Sequence, residues 1–454
     1  MRAATWGSGY PTTFSLFFNV IFLLFVITAL NLFIQHIFPR SGLNSSELLM
    51  VYTMLSVASG ICGLDMMQVL ITFVGGVKWM ATPENEWHDL FFHHIPYWLV
   101  VSDPGVLIGF HEGDSSIYLK SHILPWLTPV LVWSGFITIL ALVMLCLTVI
   151  VRKQWIEDEK LSYPIIQLPL HLTLKPQAFL TNRVMWIGFL LAGGIDLVNG
   201  LHFLYPSVPG FGGQLYDLRP FFTTSPWNAI GWTPVTIHPH LIGLGFLMPI
   251  DLLFSAWFFY WVLKAQRIFS SAVGLQGLPN FPYAKEQSFG AYIAIILAAL
   301  WVGRHHFQQV SLSLFRPDKD QPDMAGGISD RTAVIGIILG FVFLCFFSVR
   351  AGMGIWLSVA FFFLYYLLST AITRMRAELG FPIHDAHYPL GPDHIAIIVQ
   401  GTRRLGPKNL AVLALYHWFN RTYASHPMPH QLEGFKMSDQ LRISTPRVSQ
   451  NLIL

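Results

Sequence analysis

Residues 129–151 read PVLVWSGFITILALVMLCLTVIV, from Pro129 to Val151, and carry no charged side chain. As a helix this stretch would be roughly 34 Å long, enough to cross a hydrocarbon core of about 30 Å. The same pattern recurs on both sides of it. Further spans are expected at Phe14–Phe38, Glu47–Leu64, Val184–Tyr205, Leu241–Leu263, Phe289–Phe307, Thr332–Val349 and Ile355–Thr373, eight with the first. Met66–Trp79 is too short to span and either extends the second helix or re-enters the bilayer. Asp393–Gly401 and Asn409–Phe419 read as re-entrant or half helices.

The whole chain agrees with its most apolar segment. Its 454 residues are 54% hydrophobic, 15% aromatic and 11% charged, less than half the roughly 25% charge that coats a soluble domain. The fold class expected is an all-α polytopic membrane protein, a single transmembrane domain over 1–454 whose first partner is the lipid bilayer. The net charge is +3 with scattered Lys and Arg, so no nucleic-acid footprint is visible. Cys62, Cys146 and Cys345 lie in apolar stretches and read as small buried hydrophobes. No phosphate-binding G-x-x-x-x-G-K-[ST] loop occurs, and no cofactor is expected. The first apolar run is too long for a signal-peptide core and is expected to be retained.

Lys and Arg near helix ends set the expected orientation. Residues 152–183 hold Arg152, Lys153, Lys160, Lys175 and Arg183 and are placed as a basic cytoplasmic loop. Residues 65–128 and 205–240 then become long outer loops. One loop dissents, since 304–331 falls outside yet carries Arg304, Arg316, Lys319 and Arg331. Counting back places residue 1 outside, and Asn451 to Leu454 reads as the opening of another apolar segment. Both ends are expected to belong to a larger core.

Charges inside a bilayer are costly, so intramembrane carboxylates are functional candidates. Asp196, with Asn199 nearby, lies in the fourth span, and Asp251 follows Pro249 in the fifth. Counted from the cytoplasmic ends, both fall about 18 Å deep. They read either as a proton or cation relay or as caps on helices broken at Gly193-Gly194 and Pro249. Asp65 is a weaker candidate of the same kind. Arg374 and Glu378 are spaced i,i+4 ahead of the stops Gly380 and Pro382, and form either a helix-end ion pair or an anion contact. The Gly/Pro- and aromatic-rich loop 205–240 reads as a lid or as a headgroup belt.

Residues 65–128 also hold His88, His93, His94, His111 and His122 among Glu84, Glu86, Asp89, Glu112 and Asp114. Strict metal spacing is missing. His93, His94 and His111 are therefore only weak metal candidates. His384, His387 and His394 with Asp385 and Asp393 form a second loose group. Gly336 and Gly340 make a GxxxG pair that predicts close helix packing.

Three segments resemble the oligopeptide transporter family, closest to its uncharacterised prokaryotic relatives. They are Arg152 to Pro164 (RKQWIEDEKLSYP), Arg374 to Pro382 (RMRAELGFP) and Leu441 to Arg447 (LRISTPR). The family places a Glu-Lys/Arg-Leu-x-Tyr/Phe-Pro pattern after an early helix and an Ile-Pro-Pro-Arg-like turn before a late one. The resemblance implies a multi-helix secondary carrier, usually proton-driven, for small peptides or metal chelates, here in a prokaryotic inner membrane. The chain departs from the pattern at Ser162-Tyr-Pro164 and at Thr445-Pro-Arg447.

The resulting expectation is an alternating-access transporter with Asp251 as proton acceptor and Asp196 as its partner or a substrate contact. The rival is a polytopic membrane enzyme whose active site lies in 65–128, built from Glu84, His93, His94, His111 or Glu112.

Overall fold

The computed structural model describes residues 12, 16–63, 66–210, 216–235, 239–313, 328–381 and 391–441. Asp65, His384, Asp385, His387, the acidic residues of 318–323 and the 442–447 part of the third resemblance segment lie outside the described residues. The described chain is helical, apart from one two-stranded pair.

In chain order the principal helices are α1 (Phe18–Ile37), α2 (Ser45–Cys62), α3 (Met67–Trp79), α4 (Lys120–Arg152) and α5 (Arg183–Leu204). They continue as α6 (Ile250–Ala272), α7 (Ala284–Val302), α8 (Arg304–Ser313), α9 (Asp330–Ala351) and α10 (Ile355–Leu379). Three shorter ones follow, α11 (Pro392–Gln400), α12 (Thr402–Asn420) and α13 (Pro427–Gln440). Among the described residues six stretches are long and apolar enough to cross a membrane, or seven if α7 and α8, bent by 70° at their junction, count as one. The protein is an all-α polytopic membrane protein.

The expected eight differ from this at two places. The helix at the expected fifth span begins at Ile250 rather than Leu241, with Pro249 at its N-cap, and is not among the six. It also carries Asp251, Lys264 and Arg267, which lower its apolarity. Phe289–Phe307 is not one straight rod, since it turns at Gly303.

The chain gathers into two compact units, the first made of 1–52, 162–291 and 375–383, the second of 53–161, 292–374 and 384–454. In the second unit α4 is the axis. Gly340 lies where a Cβ would come 2.3 Å from Val143 Cγ2, and at Gly336 a Cβ would come 2.7 Å from Cys146 Sγ. The GxxxG pair therefore lets α9 lie against α4, as its spacing predicts. Around them Trp133, Phe136, Phe347, Phe361, Phe362 and Tyr416 form one aromatic core with ring centroids about 5–6 Å apart.

The two presumed outer and cytoplasmic loops are more structured than their polarity implies. Residues 65–128 include α3, a helix at Pro104–His111 capped by Asp103, and the first turns of α4. Leu99, Val100 and Val101 are buried; Trp133 Nε1 donates to Leu99 O (3.0 Å) and Val101 N to Val74 O (3.0 Å). An apolar tripeptide carries the segment inward despite its polar flanks. Residues 152–183 continue α4 as a π-helical turn, Lys153–Asp158, and then form a helix at Gln167–Leu174.

In the first unit, residues 216–235 form a hairpin-like loop closed by pairing Tyr216 with Val235 and Asp217 with Pro234. Asp217 Oδ1 accepts from the backbone of Thr233 and Arg219, both at 3.0 Å. Those two amides, more than the Arg219 guanidinium, hold its carboxyl below the usual carboxylate range.

Candidate functional site

The predicted carboxylates do not become a buried pair. α5 runs unbroken through Gly193-Gly194 and has no buried residue, so Asp196 is exposed and caps nothing; Asn199 is half-buried. Asp251 is exposed in the first turn of α6, where the helix dipole favours a carboxylate. Measured from Arg183 and Ala272, their positions along the helices are about 20 Å and about 32 Å, not one common depth. The difference arises because α6 starts and ends later than hydropathy predicts.

Lys264 is a buried charge of the first unit. Its ammonium donates to Ile230 O (3.1 Å) and Trp232 O (2.5 Å) and lies over the Tyr260 ring. Gly231, at φ 66° and ψ −163°, adopts a backbone conformation essentially restricted to glycine and so brings the two carbonyls together. Loop 216–235 thus lies along α6 rather than over a cavity mouth, and Lys264 is a structural pin.

Arg374 pairs with Glu159 Oε2 at 2.5 Å and lies over the Trp155 ring, an ion pair to a residue far upstream in the chain. The Glu378 backbone carbonyl accepts from Ser162 Oγ (2.7 Å), and Ala377 O from Tyr163 N (2.9 Å). The segment Ser162-Tyr-Pro164 therefore satisfies free carbonyls at the end of α10. Gly380 is required there twice over, by its φ of 66° and because a Cβ would stand 2.4 Å from Pro164 Cγ. Two of the three family-like segments meet in this way.

Histidines of 65–128 make local ring contacts. His111 stacks on Trp79 and approaches Gly75 O (3.3 Å), while His93 and His94 lie against each other. Among the described residues no three His, Cys, Asp or Glu side chains converge as metal ligands.

The cluster that sequence reading missed is in the second unit. Every residue from Thr422 to Phe435 is buried, although α13 reads PMPHQLEGFKMSDQ and is one of the least apolar helices of the chain. It forms because Pro427 and Pro429 fall in the first turn, where amides have no intrahelical partner to lose. Gly434 permits its close approach to α2, since a Cβ there would stand 2.5 Å from Thr53 Cγ2. Gln431 Nε2 donates to Ala141 O of α4 (3.4 Å), and Arg152 lies over the Phe435 ring.

Along this element His426, His430 and Glu433 follow at i, i+4 and i+7, one face of a helix. His430 Nδ1 is 3.5 Å from Glu433 Oε2, both side chains nearly inaccessible. Tyr365, Tyr423 and His426 form a triangle with ring centroids 5.3–5.9 Å apart. Burial, reinforced by His430, pushes the imidazole of His426 down to about 3, so it is neutral at physiological pH. Tyr365 Oη, Tyr423 Oη, Ser425 Oγ, His426 Nε2, Gln431 Oε1 and both amide atoms of Asn420 are buried without a hydrogen-bond partner. A buried unpaired polar group costs about 1–3 kcal/mol, so such a concentration makes this cluster the candidate site. The spacing of His426, His430 and Glu433, just after two prolines, was the available signal.

A helical membrane protein with a buried polar helix is the class this geometry defines. The whole chain, residues 1–454, matches a family of unknown function, DUF6785, and the protein belongs to that family. Neither a curated protein nor a solved structure matches it.

Proposed function

We propose that the protein is a proton-coupled secondary transporter working by alternating access, with its proton and substrate chemistry at α13 and the turn before it. The observation that carries this is the His430–Glu433 pair, enclosed in a membrane protein beside unpartnered Asn420, Tyr423, Tyr365 and Gln431 groups. A carboxylate beside an imidazole is neutral as a pair while it holds one proton, on either group, and becomes charged when that proton leaves, so its protonation can be coupled to the opening of the site. Neutral amide and phenol groups that both donate and accept suit a peptide or chelate backbone. The resemblance of the Arg152–Pro164 and Arg374–Pro382 segments to oligopeptide transporters supports the same substrate classes and a prokaryotic inner membrane.

The test is proton flux in liposomes holding the purified protein and an internal pH dye. Alanyl-alanine, tetra-alanine and ferric citrate are added outside under an inward proton gradient. Internal acidification evoked by at least one of them is expected. Silence with all three, from protein that is folded and inserted, would contradict the reading.

A further inference from the structure

A line of polar side chains leads from the buried pair to a second enclosed carboxylate, which two part-exposed imidazoles flank. Asp393, in the first turn of α11, is 6% exposed and stands between two imidazoles. His394 Nδ1 is 3.3 Å from its Oδ1 and His417 Nδ1, on α12, is 3.5 Å from its Oδ2. Those two side chains are 54% and 41% exposed. Burial alone would raise the Asp393 carboxyl, but the His417 hydrogen bond and the charge of His394 outweigh it, so the group stays ionised.

From Asp393 the polar groups continue inward. A Cβ on Gly391 would lie 2.7 Å from Asp393 Oδ1 and 3.0 Å from Asn420 Oδ1, so the carboxylate and the amide share one small space that only glycine leaves open. The Tyr423 phenol feels the Asp393 charge. Next come the Tyr365–Tyr423–His426 triangle, the His426–His430 neighbours, and Glu433. Each link keeps at least one side chain able to donate and accept, and the unpaired atoms of Asn420, Tyr423, Tyr365 and His426 lie along this line. Hydroxyls, imidazole nitrogens and intervening waters are the groups along which a proton hops.

We propose that Asp393, flanked by His417 and His394, is the aqueous port of a proton pathway that passes Asn420, which orients the entering water, and runs through Tyr423, Tyr365 and His426 to the His430–Glu433 pair. A proton taken from water by the Asp393 carboxylate passes inward by successive O–H and N–H transfers. It ends on Glu433, and the port returns to its ionised form. The titratable groups facing Asp393 are His394 on its own helix, His417 on α12 and Tyr423 in the following turn. Those about Glu433 are His430 and His426, with Lys436 one turn on. The pathway rests on the proposed proton role of Glu433.

The experiment is time-resolved infrared difference spectroscopy on the full chain after a light-triggered pH jump. A protonated-carboxyl band removed by Glu433→Gln identifies the terminus. The rate at which that band rises should fall at least tenfold in Asp393→Asn and in His417→Gln, and recover in Asp393→Glu. Its equilibrium midpoint should not move, which a merely structural effect would not permit. An unchanged rate in both slowed variants overturns the port while leaving Glu433 as the proton site. A band that survives Glu433→Gln overturns the proton site itself and the pathway with it.

Discussion

Helices α5 and α13 invert the relation between composition and burial. α5 is apolar but for Arg183, Asp196, Asn199 and His202, and none of its residues is buried. α13 carries His430, Gln431, Glu433 and Ser438, and all four are buried. In water this would be an error of folding. In a bilayer it is the expected economy, because lipid solvates Leu and Phe as well as a protein core does. Polar side chains, by contrast, must be enclosed. Burial of a polar helix in such a protein therefore reflects the need to keep its side chains from lipid. The two units also treat polar groups differently. Lys264 in the first is fully engaged by two carbonyls, whereas Asn420, Tyr423 and His426 in the second are enclosed and unpaired.

The largest effect on stability should come from prying α13 loose. Gly434→Leu puts a branched side chain where even a Cβ comes 2.5 Å from Thr53 Cγ2. A loss at or beyond the top of the roughly 1–3 kcal/mol overpacking range is expected, read as a lower melting temperature. An unchanged melting temperature would mean that α13 is not seated against α2.

Lys264→Met keeps the length and removes the donor. Ile230 O loses its partner in a buried setting, a cost of about 1–3 kcal/mol, whereas the more exposed Trp232 is rehydrated. Loop 216–235 should become sensitive to limited proteolysis, while proton flux evoked by substrate persists. Lost flux with an intact loop would give Lys264 a role beyond pinning.

A smaller, graded effect follows from His426. Its folded-state value of about 3 lies below the ordinary 6.5, so the unfolded chain binds more protons throughout the interval between them. Stability is full above about pH 6.5 and is lost as pH falls toward 3, by at most about 1.4 kcal/mol per unit. Melting temperatures from pH 7.5 to 4.5 should fall more steeply for the parent than for His426→Gln. Parallel curves would show that His426 is not held neutral.

Hydropathy made the membrane class and most spans legible, because a run such as 332–349 admits one reading in lipid and the structure places α9 at 330–351. The start of α4 at Lys120 was hidden by Lys120, His122 and two prolines that the long helix accommodates. The Arg374–Glu159 pair was illegible from local spacing because its partners are more than two hundred residues apart in the chain. α13 was missed for a deeper reason. Apolarity is the signal for span and core alike, and a helix whose purpose is polar shows as a loop. Asp196 and Asp251 stood out instead, since a charge within an apolar run is conspicuous wherever its side chain ends up.

The central claim is that the enclosed Glu433, not the exposed Asp196 or Asp251, carries the proton. It is tested most directly by measuring the pH dependence of alanyl-alanine uptake into liposomes for Glu433→Gln, Asp196→Asn and Asp251→Asn side by side. The account predicts that Glu433→Gln abolishes the pH dependence and that the two aspartate variants retain it within about twofold of the parent, less than the roughly 1.4 kcal/mol that a tenfold change represents. Loss of pH dependence in Asp251→Asn with its retention in Glu433→Gln would contradict it.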